Sequence, residues 1–152
     1  MRKYKNVLTV IIVALMFVVL VAIPFTVAIV NDALAARTLK EIKNIELPEN
    51  SKILSEYAVA GKVSGNGNGM QYFGAILIES EQDLTSLQEY YHNVGSEYFI
   101  SVKGQKSDAI DVLNGNQHYF DGVDDCDFEN CYIVYGYGKG GNWFLDLDLR
   151  GH

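Results

Sequence analysis

VLTVIIVALMFVVLVAIPFTVAIV, residues 7–30, runs for 24 positions without a charged side chain. A helix rises about 1.5 Å per residue, so about 20 apolar residues cross a hydrocarbon core of roughly 30 Å. The run therefore predicts a transmembrane helix with some length to spare for tilt. Its soft polar points are Thr9 and Thr26, whose hydroxyls can bond back to helical carbonyls. Pro24 would weaken a soluble helix but is tolerated in a membrane span. Arg2, Lys3 and Lys5 precede the run, and Asn31 and Asp32 come directly after it. The positive-inside bias then places residues 1–6 in the cytoplasm as a short tip and the rest of the chain outside.

A cleaved secretory signal is the competing reading. Ala33-Leu34-Ala35 followed by Ala36 resembles a small-x-small cleavage site, but the apolar core of a signal normally has about 7–15 residues, far fewer than here. Either reading exports the remainder of the chain. No cysteine stands at the junction to carry a lipid anchor. Past the run, Leu34, Leu39, Ile42 and Ile45 keep helical spacing while Arg37, Lys40 and Lys43 fall elsewhere. Residues 31–46 are thus expected to extend the helix as a juxtamembrane stalk, ending before Pro48, which disfavours helix at Leu47.

Residues 47–152 are expected to form one extracytoplasmic domain, short enough for a single modest core. All 19 acidic residues and nine of the 12 basic ones lie after position 30, giving that part a net charge near −10. Such a surface repels phosphate backbones, so nucleic acid is not an expected partner.

Alternation rich in branched residues marks a strand over 52–63, through Ile53, Tyr57, Val59 and Val63, and another over 70–79. The glycine- and asparagine-rich stretch between them suits a hairpin connection. It does not suit a phosphate cradle, which needs a helix directly after the glycines. Ser80 and Asp83 have the form of a helix start, and Leu84, Leu87, Tyr91 and Val94 then give one apolar face up to Gly95. The next strand is expected over 98–102. Residues 105–113 fit either a short helix or a strand, and 118–120 a short strand. Residues 132–137 and 143–150 read as a closing hairpin, with Trp143, Leu145, Leu147 and Leu149 toward the core. The expected fold class is α+β: an N-terminal transmembrane helix, then a small antiparallel sheet with one main helix packed on it.

Chemistry-bearing residues are few. Asp121, Asp124, Asp125, Asp127 and Glu129 crowd nine positions and could offer Ca²⁺ hard oxygen ligands, with Asp121, Asp125, Asp127 and Glu129 the candidate set. The stretch lacks the central glycine and distal glutamate of an EF-hand loop, and a solvated acidic loop is the simpler reading. Cys126 and Cys131 are expected to close a local disulfide in an oxidising compartment; two thiols or a redox pair are the alternatives, the last disfavoured by C-x4-C spacing. His92, His118 and His152 have no metal-site spacing, and no hydrolase signature is present. Tyr119, Tyr132, Tyr135, Tyr137 and Trp143 suit a half-buried sheet and could also form a recognition surface. Asn66, Gly67 and Asn68 with Tyr135 and Tyr137 are the candidate partner or ligand surface.

GNGNGMQYFGA at 65–75 and DLDLRGH at 146–152 resemble stretches of small single-span membrane proteins of Clostridia-type Firmicutes. The resemblance implies a Gram-positive envelope setting and brings no activity with it. The expected function is non-enzymatic recognition of a protein or envelope ligand by a membrane-anchored domain. A Ca²⁺-binding envelope module through 121–129 is the alternative, and a hydrolase without signature the third reading.

Overall fold

The computed structural model describes residues 2–63, 69–94, 100–113, 117–123, 128–138 and 143–148. One helix, α1 (Arg2–Lys43), carries the apolar run and continues well beyond it. Then come β1 (Ser51–Gly61), β2 (Gln71–Ser80), α2 (Leu84–Val94), β3 (Ile100–Gly104) and β4 (Cys131–Gly138). The four strands make one antiparallel sheet in the order β1-β2-β4-β3. This is the expected α+β architecture.

The helix α1 changes role along its length. From Val7 to Val21 its large side chains are exposed on every side. From Val27 onward one stripe is buried: Val27, Asn31, Ala35, Thr38 and Ile42, spaced four, four, three and four residues apart. That is the spacing of a single helix face, and it lies on β1, β2 and β4. The stretch expected to be a stalk is therefore a layer of the domain.

The sheet has a small-residue track beneath that layer. Ala58, Gly74 and Gly136 are direct cross-strand neighbours on β1, β2 and β4. A Cβ on Gly74 would stand 2.6 Å from the Leu39 nitrogen and 3.0 Å from the Thr38 carbonyl carbon. The helix backbone rests directly on the sheet because glycine leaves it room. Farther along the same face, Ile42 joins Ile76, Ile78, Val102 and Val134, with Leu87 and Tyr91 of α2 completing the cluster. Asp83 caps α2, its carboxylate accepting from the Ser86 amide at 2.9 Å. Ser80, the expected cap, instead accepts from the Gln82 amide and from the Ser51 hydroxyl.

The opposite face buries Phe73, Ala75, Leu77 and Ile133 under Val63, Ile110, Leu113, Phe120 and Val123. Val63 and the described residues of 105–113 and 117–123 make this cover. The Ile110 amide bonds to the His118 carbonyl, and the Phe120 amide to that of Asp108; Ala109 and Tyr119 form an antiparallel bridge. A bulge in β1 between Ile53 and Ser55 reverses its alternation, so Ile53 joins the helix-side cluster while Tyr57 and Val59 join this one. A single face for Ile53, Tyr57 and Val59 was the expectation; the extra residue breaks it.

The expected closing hairpin does not form. Both edges of β4 are taken, by β2 and by β3, so no ladder is left for another strand. Trp143–Leu147 winds instead into a 3₁₀ helix. Trp143 and Leu147, expected in the core, are exposed, and Leu145 packs inward, with Leu34, Ala35, Ala58, Ala60, Met70 and Tyr72. Leu149, the fourth residue of the expected core face, lies outside the described residues.

Candidate functional site

The sheet face away from α1 carries a row of rings. Register sets Val59, Phe73 and Tyr137 side by side, and in the next rung Tyr57, Ala75, Tyr135 and Ser101. Ala75 leaves the second rung low between two tyrosines. Phe73 is fully buried, while Tyr57, Tyr135 and Tyr137 are half-buried around it. Phe73 lies 5.2 Å from the Tyr137 ring, 5.9 Å from Tyr135 and 6.3 Å from Tyr57, and Tyr135 stands edge-on to Tyr137. These centroid separations fall within the range where tilted aromatic pairs attract.

His118 joins the row from the covering segment. Its ring lies 5.3 Å from that of Tyr57, and its Nδ1 shares a hydrogen bond with the Tyr57 hydroxyl. Desolvation pushes the Tyr57 phenol up to about 12 and holds His118 below the ordinary histidine value. Both groups are therefore neutral near pH 7, and the imidazole tautomer sets which of them donates. Tyr137 is also raised, by desolvation first and then by the neighbouring Tyr135. The result is a cluster of half-buried rings, able to offer ring edges and hydroxyls to an apolar or sugar-like surface.

A second polar assembly stands on the other face, where α1 meets the C-terminal segment. Asn31 is fully buried. Its amide donates to the Leu145 carbonyl and to the Asp148 carboxylate, each at 3.0 Å, and its carbonyl accepts from the Tyr72 hydroxyl at 3.1 Å. Asp146 accepts from the Met70 amide at 2.7 Å. Desolvation raises the Tyr72 phenol, and Asp146 and Asp148 push it the same way. Both polar atoms of the Asn31 side chain are engaged, which marks a latch more than a binding site.

Two clefts lie among the described residues. One, about 410 Å³, is lined by Asn50, Ser51, Lys52, Glu79, Ser80, Glu81 and Asn130; its polar groups pair with one another, Asn50 with Glu81, Ser51 with Ser80 and Lys52 with Glu79. The other, about 390 Å³, lies among Gly104, Gln105, Lys106, Phe128, Glu129, Cys131 and Tyr132. Gln105 is buried there, its amide nitrogen donating to the carbonyls of Ser107 and Ala109 while its Oε1 accepts no hydrogen bond among the described residues.

Of the residues singled out in the sequence, Tyr135 and Tyr137 lie together in the aromatic row, with Tyr132 on the opposite sheet face. Asn66, Gly67 and Asn68 lie outside the described residues, as do Asp124, Asp125, Cys126, Asp127 and His152. Asp121 and Glu129 are exposed, and among the described residues no three acidic, histidine or cysteine side chains gather as metal ligands. Cys131 is buried at the start of β4. Sequence reading missed Tyr57 and His118 as a pair. Tyr57 stood out only as a strand residue, and His118 belongs to a segment whose fold had no clear period. No family model matches the chain, and neither a curated protein nor a solved structure matches it.

Proposed function

We propose that this chain is a single-pass membrane protein whose domain stands outside the cytoplasm and recognises a protein or envelope ligand through the aromatic face, without catalysing a reaction. The observation that carries this reading is the half-buried row Tyr57, Tyr135 and Tyr137 around Phe73, with His118 at its margin. Tyrosines on a sheet present large contact area at little entropic cost, which is how recognition hot spots are built. α1 is the one helix among the described residues long and apolar enough to cross a membrane. Arg2, Lys3 and Lys5 before it support the outward orientation of the domain. Because the same helix is a layer of the domain, the aromatic face is held at a fixed height and angle to the membrane. A Gram-positive envelope suits this arrangement.

Photo-crosslinking from position 135 or 137 in intact cells tests the proposal. A discrete adduct is expected, and it should disappear on Tyr57→Ala in a chain that still melts cooperatively. Equal labelling from 135 and from exposed Lys106 on another part of the surface would contradict it. A companion variant, Gly67→Val, asks whether the 65–69 stretch belongs to the same surface.

A further inference from the structure

The 3₁₀ helix Trp143–Leu147 leaves three of its four large apolar residues outward. Trp143 is 74% exposed, and Phe144 and Leu147 are exposed beside it, while Leu145 packs inward. Its one acid, Asp146, is exposed and accepts from the Met70 amide; Asp148, just beyond, is half-buried and accepts from Asn31. A segment facing only water would be expected to bury the three apolar groups, because apolar area costs about 25 cal/mol per Å² to leave wet.

The height of this segment on α1 says what covers it. Protein packing on the helix begins at Val27, 1% exposed, whereas the large side chains from Val7 to Val21 are bare. Residues 7–26 rise about 30 Å, the thickness of a hydrocarbon core. Asn31 then stands about 7.5 Å beyond that core, at the outer edge of the headgroup layer, which is roughly 5–7.5 Å deep on each side. The 3₁₀ helix is bonded directly to Asn31 at 3.0 Å. Trp143, Phe144 and Leu147 are therefore carried at the membrane–water boundary, where tryptophan and other amphipathic rings are enriched.

We infer that Trp143, Phe144 and Leu147 form an interfacial anchor that dips into the outer leaflet beside the point where α1 leaves it. The occupant is the lipid of the membrane that α1 itself crosses, so the inference rests on the single-span reading. Contact is by apolar insertion and not by charge, since the domain is acidic and the carboxylates of this segment are occupied. The anchor gives the domain a second point of attachment and fixes its rotation about the helix axis.

Trp143 is the only tryptophan in the chain, so its fluorescence reports this site alone. The full-length protein is reconstituted in phosphatidylcholine vesicles, and its co-flotation with them is measured first. The expected result is blue-shifted Trp143 emission that loses most of its intensity to lipids spin-labelled near the headgroup, loses little to aqueous acrylamide, and is unaffected by salt. Phe144→Gln with Leu147→Gln should shift the emission to the red while the chain still floats. Water-like emission freely quenched by acrylamide, in a chain that co-floats, overturns the anchor and leaves the span intact. Blue-shifted emission that ignores lipid labels and fades on dilution into excess lipid indicates a second copy of the chain, and also overturns it. A chain that does not float with the vesicles overturns both readings.

Discussion

Replacing Gly74 by alanine tests the seat of α1 on the sheet with a single methyl group. The added Cβ would meet the Leu39 nitrogen at 2.6 Å, the Leu39 Cα at 2.9 Å and the Thr38 carbonyl carbon at 3.0 Å. All three are backbone atoms of a helix, so no side chain can swing aside. Reaching the ordinary contact distance of 3.4 Å needs about 0.8 Å of separation between helix and sheet. A gap of that size forfeits a quarter to a half of the dispersion well for each atom pair it opens. Overpacking of this kind costs about 1–3 kcal/mol, and rigid atoms on both sides put Gly74→Ala near the upper figure. Loss of glycine freedom in the unfolded chain returns only about 0.4–1 kcal/mol. The net loss of about 2 kcal/mol should lower the melting temperature by roughly 5–10 °C for a domain of this size.

The assay is thermal unfolding of the full chain in detergent micelles, followed by near-ultraviolet circular dichroism. Gly104→Ala is the control, because no atom lies within 4 Å of the Cβ it would add, and it should move the transition little. If Gly74→Ala melts with Gly104→Ala, the helix does not rest on β2 as described.

Three more groups give measurable outcomes. Asn31→Leu removes the partner of the Tyr72 hydroxyl and of the Leu145 carbonyl and one partner of the Asp148 carboxylate, and should cost about 2–6 kcal/mol at about 1–3 for each of the first two while speeding protease cutting near 143–148; undiminished protection there would contradict the latch. Tyr91→Phe removes a buried hydroxyl that has no hydrogen-bond partner among the described residues, and denaturant titration should show unchanged stability or a gain of up to about 1 kcal/mol, where a loss above about 2 would mean a partner elsewhere. His118 has its folded pKa lowered by desolvation, so the unfolded chain takes up its proton first as pH falls below about 6.5. Stability should be level above that value and decline from it down to the folded pKa. His118→Gln should flatten that part of a melting-temperature profile, and parallel profiles for the two chains would refute the assignment.

Much of the architecture was legible because it rests on period. The apolar run, the apolar stretches of β2 and β4 bounded by glycine-rich turns and the spacing of Leu84, Leu87 and Tyr91 each pointed to the element that forms. The stripe of α1 that meets the sheet was not legible, because two of its five positions are Asn31 and Thr38. Apolar periodicity picked Leu34 and Leu39 at its flanks instead. Asn31 is buried only because Leu145, Asp148 and Tyr72 arrive from distant parts of the chain, and Thr38 because it bonds to its own helix at Leu34. Alternation failed at 143–147, where Trp143, Leu145 and Leu147 read as an inward strand face. A strand needs an open neighbour, and β4 has none. The bulge at Ile53/Ser55 was hidden for a similar reason, since one extra residue leaves no trace in composition. Tyr135 and Tyr137 were found as surface candidates, but the ring that completes their row, Tyr57, comes from β1, and His118 from a segment held by two backbone hydrogen bonds.

Hydrogen exchange of the full chain in lipid nanodiscs, read by mass spectrometry, tests most directly whether the helix belongs to the fold of the domain. If it does, the amides of residues 31–43 open in the same cooperative event as those of β2 and β4, and Gly74→Ala speeds all three together. Exchange of 31–43 at the rate of a solvated helix, while β2 and β4 stay protected, would mean that α1 leaves the membrane as a free stalk.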